Sequence, residues 1–92
     1  MSASDAPESL ETRRKKLSYR SRHRGTKEMD ILLGAFADRY LDGFSAAQLD
    51  RFETLLQNSD PDLYGWVTGE QRVPDGQDSD VMRLFRDFKI RT

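Results

Sequence analysis

Cysteine is absent from the 92 residues, and histidine occurs once, as His23. No disulfide, thiolate nucleophile, iron–sulfur cluster or cysteine-based zinc site can be built, and a multi-histidine metal site lacks its second ligand. Long apolar runs are missing as well, since none approaches the roughly 18–20 residues that cross a bilayer. Residues 1–12 have neither the basic start nor the hydrophobic stretch of a secretory signal. Asp5, Glu8 and Glu11 precede the first basic residue, unlike the acid-poor leaders of mitochondrial precursors. The expectation is a cytoplasmic chain of bacterial type with no membrane insertion, or a mitochondrial matrix protein only if a presequence has been removed.

Glycine is sparse. The six glycines match neither G-x-G-x-x-G nor a Walker pattern, so nucleotide binding by this chain alone has no support. With 36% hydrophobic and 34% charged residues and a mean hydropathy of −0.80, the chain can fill one small core but not line a deep pocket too. No grouping of nucleophile, base and oxyanion donors can be named, and an enzyme acting alone is not expected.

What the sequence does contain is an uneven distribution of charge. Residues 13–27 hold eight bases and no acid, whereas residues 28–92 hold seven bases against thirteen acids. The net charge of −1 therefore conceals a bipolar molecule that can be steered toward a charged partner. The basic segment could also neutralise phosphates, which makes a non-specific nucleic-acid binder one alternative, although the acidic remainder opposes it. The plain structural reading is a solvated helix face.

Periodicity predicts an all-α, single-domain bundle of about five short helices over residues 9–92, preceded by a disordered tail, 1–8. A helix from Glu8 to about Arg22 carries only Leu10, Leu17 and Tyr19 as apolar residues and should be peripheral. The central helix, Thr26 to Leu41, places Met29, Leu32, Leu33, Phe36 and Tyr40 on one face. Gly34 inside it implies close packing of a neighbour, and Gly43 is positioned to end it. Ser45 and Gln48 form a capping-box pattern ahead of Leu49, Phe52, Leu55 and Leu56, with Asn58-Ser59 closing that helix. Asp60 is the cap candidate before Pro61, opening a short helix with Leu63, Trp66 and Val67 on its buried face. After a loop from Gly69 to Gln77, caps at Asp78-Ser79-Asp80 start a last helix with Val81, Leu84, Phe85 and Phe88 inward. Arg83, Arg86, Lys89 and Arg91 suit the negative end of its dipole.

The junction Arg24-Gly25-Thr26-Lys27-Glu28 is a candidate contact surface, because a glycine there lets another backbone approach closely. If Arg24 and Glu28 share one helical turn, their four-residue spacing puts a donor and an acceptor on the same face. The alternative is an exposed ion pair beside a helix-start glycine. Trp66 reads as a core anchor, Asp62 as compensation of a helix dipole, and His23 as an exposed ring among arginines.

The run Tyr19-Arg20-Ser21-Arg22-His23-Arg24-Gly25-x-x-Glu28, followed by an Ile-Leu-Leu helix, resembles the flavinylation-promoting assembly factors of succinate dehydrogenase, whose hallmark is Arg-Gly-x-x-Glu. The likeness continues through Asp60-x-Asp62-Leu63-Tyr64-x-Trp66-x-x-Gly69 and covers roughly residues 12–90. The resemblance implies a small helical chaperone, not an enzyme. It would bind the flavoprotein subunit of succinate dehydrogenase, and in some bacteria that of fumarate reductase, and promote covalent attachment of FAD. It implies no tight FAD site on this chain, because the partner holds that cofactor. Carried over, Arg24, Gly25 and Glu28 are the expected partner contacts, with Asp30 and His23 as neighbours, and the free protein is expected to be a monomer. Many relatives have methionine where this chain has Thr26, whose hydroxyl could instead cap the central helix. A regulatory, antitoxin-like binding module is the other alternative.

Overall fold

The computed structural model describes residues 9–88. Among them five α-helices follow one another with no strand: α1 (Leu10–Arg22), α2 (Lys27–Tyr40), α3 (Ala46–Leu56), α4 (Asp60–Thr68) and α5 (Asp80–Asp87). Short 3₁₀ turns occupy Leu41–Gly43 and Asp75–Gln77. The tail 1–8 and the late bases Lys89 and Arg91 lie outside the described residues.

Local chemistry sets most of the boundaries. The Ser45–Gln48 capping box is formed in both directions, with Ser45 Oγ accepting from the Gln48 N–H at 3.2 Å and Gln48 Oε1 from the Ser45 N–H at 3.0 Å. Ser9 and Ser79 cap α1 and α5 in one direction only, their hydroxyls accepting from the Thr12 and Met82 N–H groups, so α1 begins two residues later than the propensity reading placed it. At α4 the cap is Ser59 and not Asp60, because Ser59 Oγ accepts from the Asp62 N–H at 3.3 Å and Asp60 is already helical. Gly43 is not a left-handed terminator: among the described glycines only Gly25 and Gly69 have positive φ. Instead α2 tightens into its 3₁₀ turn, and Arg14 from α1 donates to the carbonyls of Leu41 at 3.1 Å and Phe44 at 2.8 Å.

Phe36 of α2 is the centre of the core. Its ring lies 4.9–6.3 Å from those of Tyr40, Phe44, Phe52, Phe85 and Phe88, so every helix except α1 and α4 brings an aromatic to it or leads into one. Leu33, Leu49, Leu63 and Val81 are fully buried around this cluster, and Trp66 is buried as expected of a core anchor. Helix α1 is different. Leu17 is its one buried apolar side chain, while Leu10 and Tyr19 face solvent.

Arginines hold α1 down where hydrophobic area does not. Arg13 donates to Asp50 and to Glu53 of α3, and the hydrogen bond to Asp50, then that to Glu53, raises its guanidinium above the ordinary arginine value. Arg20 reaches the same Glu53. Arg22 lies across Gly34 to pair with Asp38, which gives that glycine the neighbour it was expected to have. The basic segment is thus in part a set of straps, through the half-buried Arg13, Arg14 and Arg24, and in part a solvated face, on which Lys15, Lys16, Arg20, Arg22 and Lys27 are exposed.

Candidate functional site

Between α1 and α2 the chain turns through His23, Arg24, Gly25 and Thr26. Helix α2 starts only at Lys27, so Arg24 precedes it and does not form the same-face helical pair with Glu28 that the spacing allowed. Its side chain, 14% exposed, points inward. Arg24 Nε donates to Asp60 Oδ1 at 2.9 Å, Nη2 donates to the Asn58 carbonyl at 2.5 Å, and Nη1 donates to the Leu56 carbonyl. One guanidinium therefore satisfies the end of α3 and the start of α4 together, a use suited to its planar fork of donors.

The backbone of the turn is fixed as well. The Arg24 N–H donates to Asp30 Oδ1 at 2.6 Å, which makes Asp30 a half-buried brace. Thr26 occupies the N-cap position of α2 without a side-chain capping bond, and its hydroxyl donates to Asp60 Oδ2 at 3.1 Å. The hydroxyl cap considered from sequence is replaced by this tie to α4. Gly25 stands between the two anchored residues at φ +113°, and a Cβ built on it would meet nothing within 4 Å. Its backbone is exposed in a conformation that side-chain-bearing residues avoid.

Glu28 is exposed one turn further along α2. Beside it Thr26, Met29, Asp60, Pro61 and Tyr64 line an open cleft of about 400 Å³, with Tyr64 48% exposed. Two stretches more than thirty residues apart, 24–28 and 60–64, thus meet in space, with Thr26, Glu28, Asp60 and Tyr64 on one cleft. His23 sits at the start of the turn: Nδ1 donates to the Tyr19 carbonyl at 2.7 Å, and the ring stacks on Tyr19 with centroids 3.9 Å apart.

A family model described as the flavinator of succinate dehydrogenase matches residues 15–89. The chain belongs to this family. It is 36% identical over 87 residues to the FAD assembly factor SdhE of Acetobacter pasteurianus, covering 94% of this chain and 80% of that protein. It is 42% identical over 84 residues to succinate dehydrogenase assembly factor 2, mitochondrial, of Debaryomyces hansenii, covering 87% and 59%. Against succinate dehydrogenase assembly factor 2-B, mitochondrial, of Drosophila mojavensis, identity is 41% over 81 residues, covering 86% and 52%. The chain spans about half the length of several curated relatives it matches.

Of the five residues singled out from sequence, Gly25, Glu28 and His23 lie at the surface, whereas Arg24 and Asp30 are turned to the interior of the junction. Asp60, Thr26 and Tyr64 were not singled out as site residues. For Asp60 and Tyr64 the signal was present in the second block of family likeness, but nothing in the sequence says that this block meets the first in space.

Proposed function

We propose that this chain is an assembly factor that binds the flavoprotein subunit of succinate dehydrogenase and promotes covalent attachment of FAD to it. The observation that carries this reading is family membership over residues 15–89, with the Arg-Gly-x-x-Glu motif intact on a preformed ledge. Gly25 offers an exposed backbone on which another chain can lie closely, Glu28 an exposed carboxylate, and the Tyr64 cleft an apolar seat. Arg24 serves the interior of the ledge and keeps it rigid. The same surface would serve a fumarate reductase flavoprotein where the two resemble each other.

The chain acts as a chaperone and not as a catalyst. The ledge does not suit FAD, because the exposed Glu28 beside the cleft repels a diphosphate, while Arg24 is committed to Asp60 and two carbonyls. The flavin and the histidine it joins belong to the partner, and this chain contributes order. By binding one arrangement of the immature flavoprotein, it raises the population in which the reacting groups lie together. The free chain is a monomer and acts in the compartment where the flavoprotein is assembled. Binding to nucleic acid is disfavoured, since Arg13, Arg14, Arg20, Arg22 and Arg24 are each paired with carboxylates or carbonyls of this same chain.

Affinity capture tests the reading. Tagged chain, co-expressed with the succinate dehydrogenase flavoprotein of its own organism, should retain that flavoprotein, and Glu28→Ala should retain much less at unchanged helical content. Failure of the wild-type chain to capture the flavoprotein would overturn it.

A further inference from the structure

A single carboxylate touches both neighbours of Gly25. Asp60 Oδ1 accepts from Arg24 Nε at 2.9 Å, and Oδ2 accepts from the Thr26 hydroxyl at 3.1 Å. Capping does not require that carboxylate, because Ser59 already caps α4. Both of its oxygens are thereby available to reach across from α4 to the α1–α2 turn. Between the two tied residues, glycine has the widest backbone freedom of any residue, and Gly25 is exposed at φ +113° with open space where a side chain would stand. The turn is held from either side of Gly25, by Asp30 at the Arg24 N–H and by Asp60 at the side chains of both Arg24 and Thr26.

We infer that Asp60 is a positioning residue for docking: by bracketing Arg24 and Thr26 with its two oxygens, it sets the Gly25 backbone in the shape that the flavoprotein recognises. The inference rests on the docking role proposed above. A turn ordered before contact does not have to be ordered during it, so the bracket strengthens binding beyond whatever contact Thr26 and Asp60 make where they line the cleft. Arg24 keeps the Leu56 and Asn58 carbonyls when Asp60 is neutralised, so the helices survive the substitution and the effect stays local.

The test uses the full chain, titration with the succinate dehydrogenase flavoprotein, and relaxation of the Gly25 amide in the free chain. Asp60→Asn, which loses the carboxylate that both Arg24 and Thr26 donate to, should weaken binding about tenfold, and Thr26→Val, which loses one of those two bonds, about threefold. Thr26→Ser should restore wild-type affinity. The double variant should be no weaker than Asp60→Asn, because both changes act through one carboxylate. In Asp60→Asn and Thr26→Val the Gly25 order parameter should fall from about 0.85, the rigid value, toward about 0.6, with α3 and α5 unchanged. Wild-type affinity in both variants would overturn the inference, as would losses that follow thermal stability and are not rescued by serine. If the wild-type chain binds no flavoprotein, the docking reading itself falls. Unchanged Gly25 order would instead overturn the bracket alone, so the two failures are told apart.

Discussion

Replacing Arg24 should damage the fold more than any other change to the motif. Arg24→Ala strands the Asp60 carboxylate and the carbonyls of Leu56 and Asn58, three acceptors held by one side chain that is 14% exposed. Breaking a buried charge pair costs about 3–5 kcal/mol, and each charge-assisted hydrogen bond is worth about 1.5–3 kcal/mol. Water reaches part of this site, since Asp60 is 16% exposed, so the low end applies and the loss is about 2–3 kcal/mol. At about 4–8 °C per kcal/mol for a domain of this size, the melting temperature should fall by about 10–20 °C. Arg24→Lys should recover only part of it, because an ammonium satisfies one acceptor well and lacks the fork for the others. Thermal unfolding followed by circular dichroism reads both variants. An Arg24→Ala melting temperature within about 2 °C of wild type would refute the clamp.

Other expectations concern single positions. Gly25→Ala meets no clash, but it forces a side-chain-bearing residue to φ +113°; the strain is about 1–3 kcal/mol, and flavoprotein capture should fall while the helical spectrum persists, measured by melting and pull-down together. Gly34→Ala places a Cβ 2.9 Å from Nη1 and 3.3 Å from Cγ of Arg22, so the whole side chain must shift off the helix, at the loss of its exposed pair with Asp38. The helix gains about 1 kcal/mol of propensity against that shift, so denaturant melts should show nearly unchanged stability. For Asp80, burial raises the carboxyl pKa, but the hydrogen bond from Gln48, the Val81 N–H and the nearby Arg51 outweigh it and hold it below the ordinary value. A native value below the unfolded one means that its stabilisation is complete above about pH 4 and fades as pH falls through the native value, so Asp80→Asn should flatten the acid limb of the stability profile below about pH 4.

The helices were legible wherever their signals were local. The Ser45–Gln48 box, the Met29–Tyr40 stripe and the closure at Asn58-Ser59 depend on neighbours within four residues, and the structure forms all three. Choices decided by one residue or by tertiary contact were not legible. Ser59 and Asp60 are both good caps, and the pull of Arg24 on Asp60 separates their roles. Gly43 could have ended α2 in the left-handed region, but Arg14 from α1 caps that exit instead. A run of arginines looks the same whether it faces solvent or reaches carboxylates elsewhere in the chain. The motif residues were identifiable through likeness to a family. Their division into an inner brace, Arg24 and Asp30, and an outer face, Gly25 and Glu28, needed the position of α4.

Covalent flavin formation in purified components tests the central claim most directly. Flavoprotein produced without this chain would be mixed with FAD, with and without the wild-type chain or Glu28→Ala, and denaturation-resistant flavin fluorescence followed in a gel. The account predicts that wild type accelerates attachment, while Glu28→Ala, folded to within about 0.5 kcal/mol of wild type, gives little more than the background rate. Attachment at the same rate with and without the wild-type chain would contradict it.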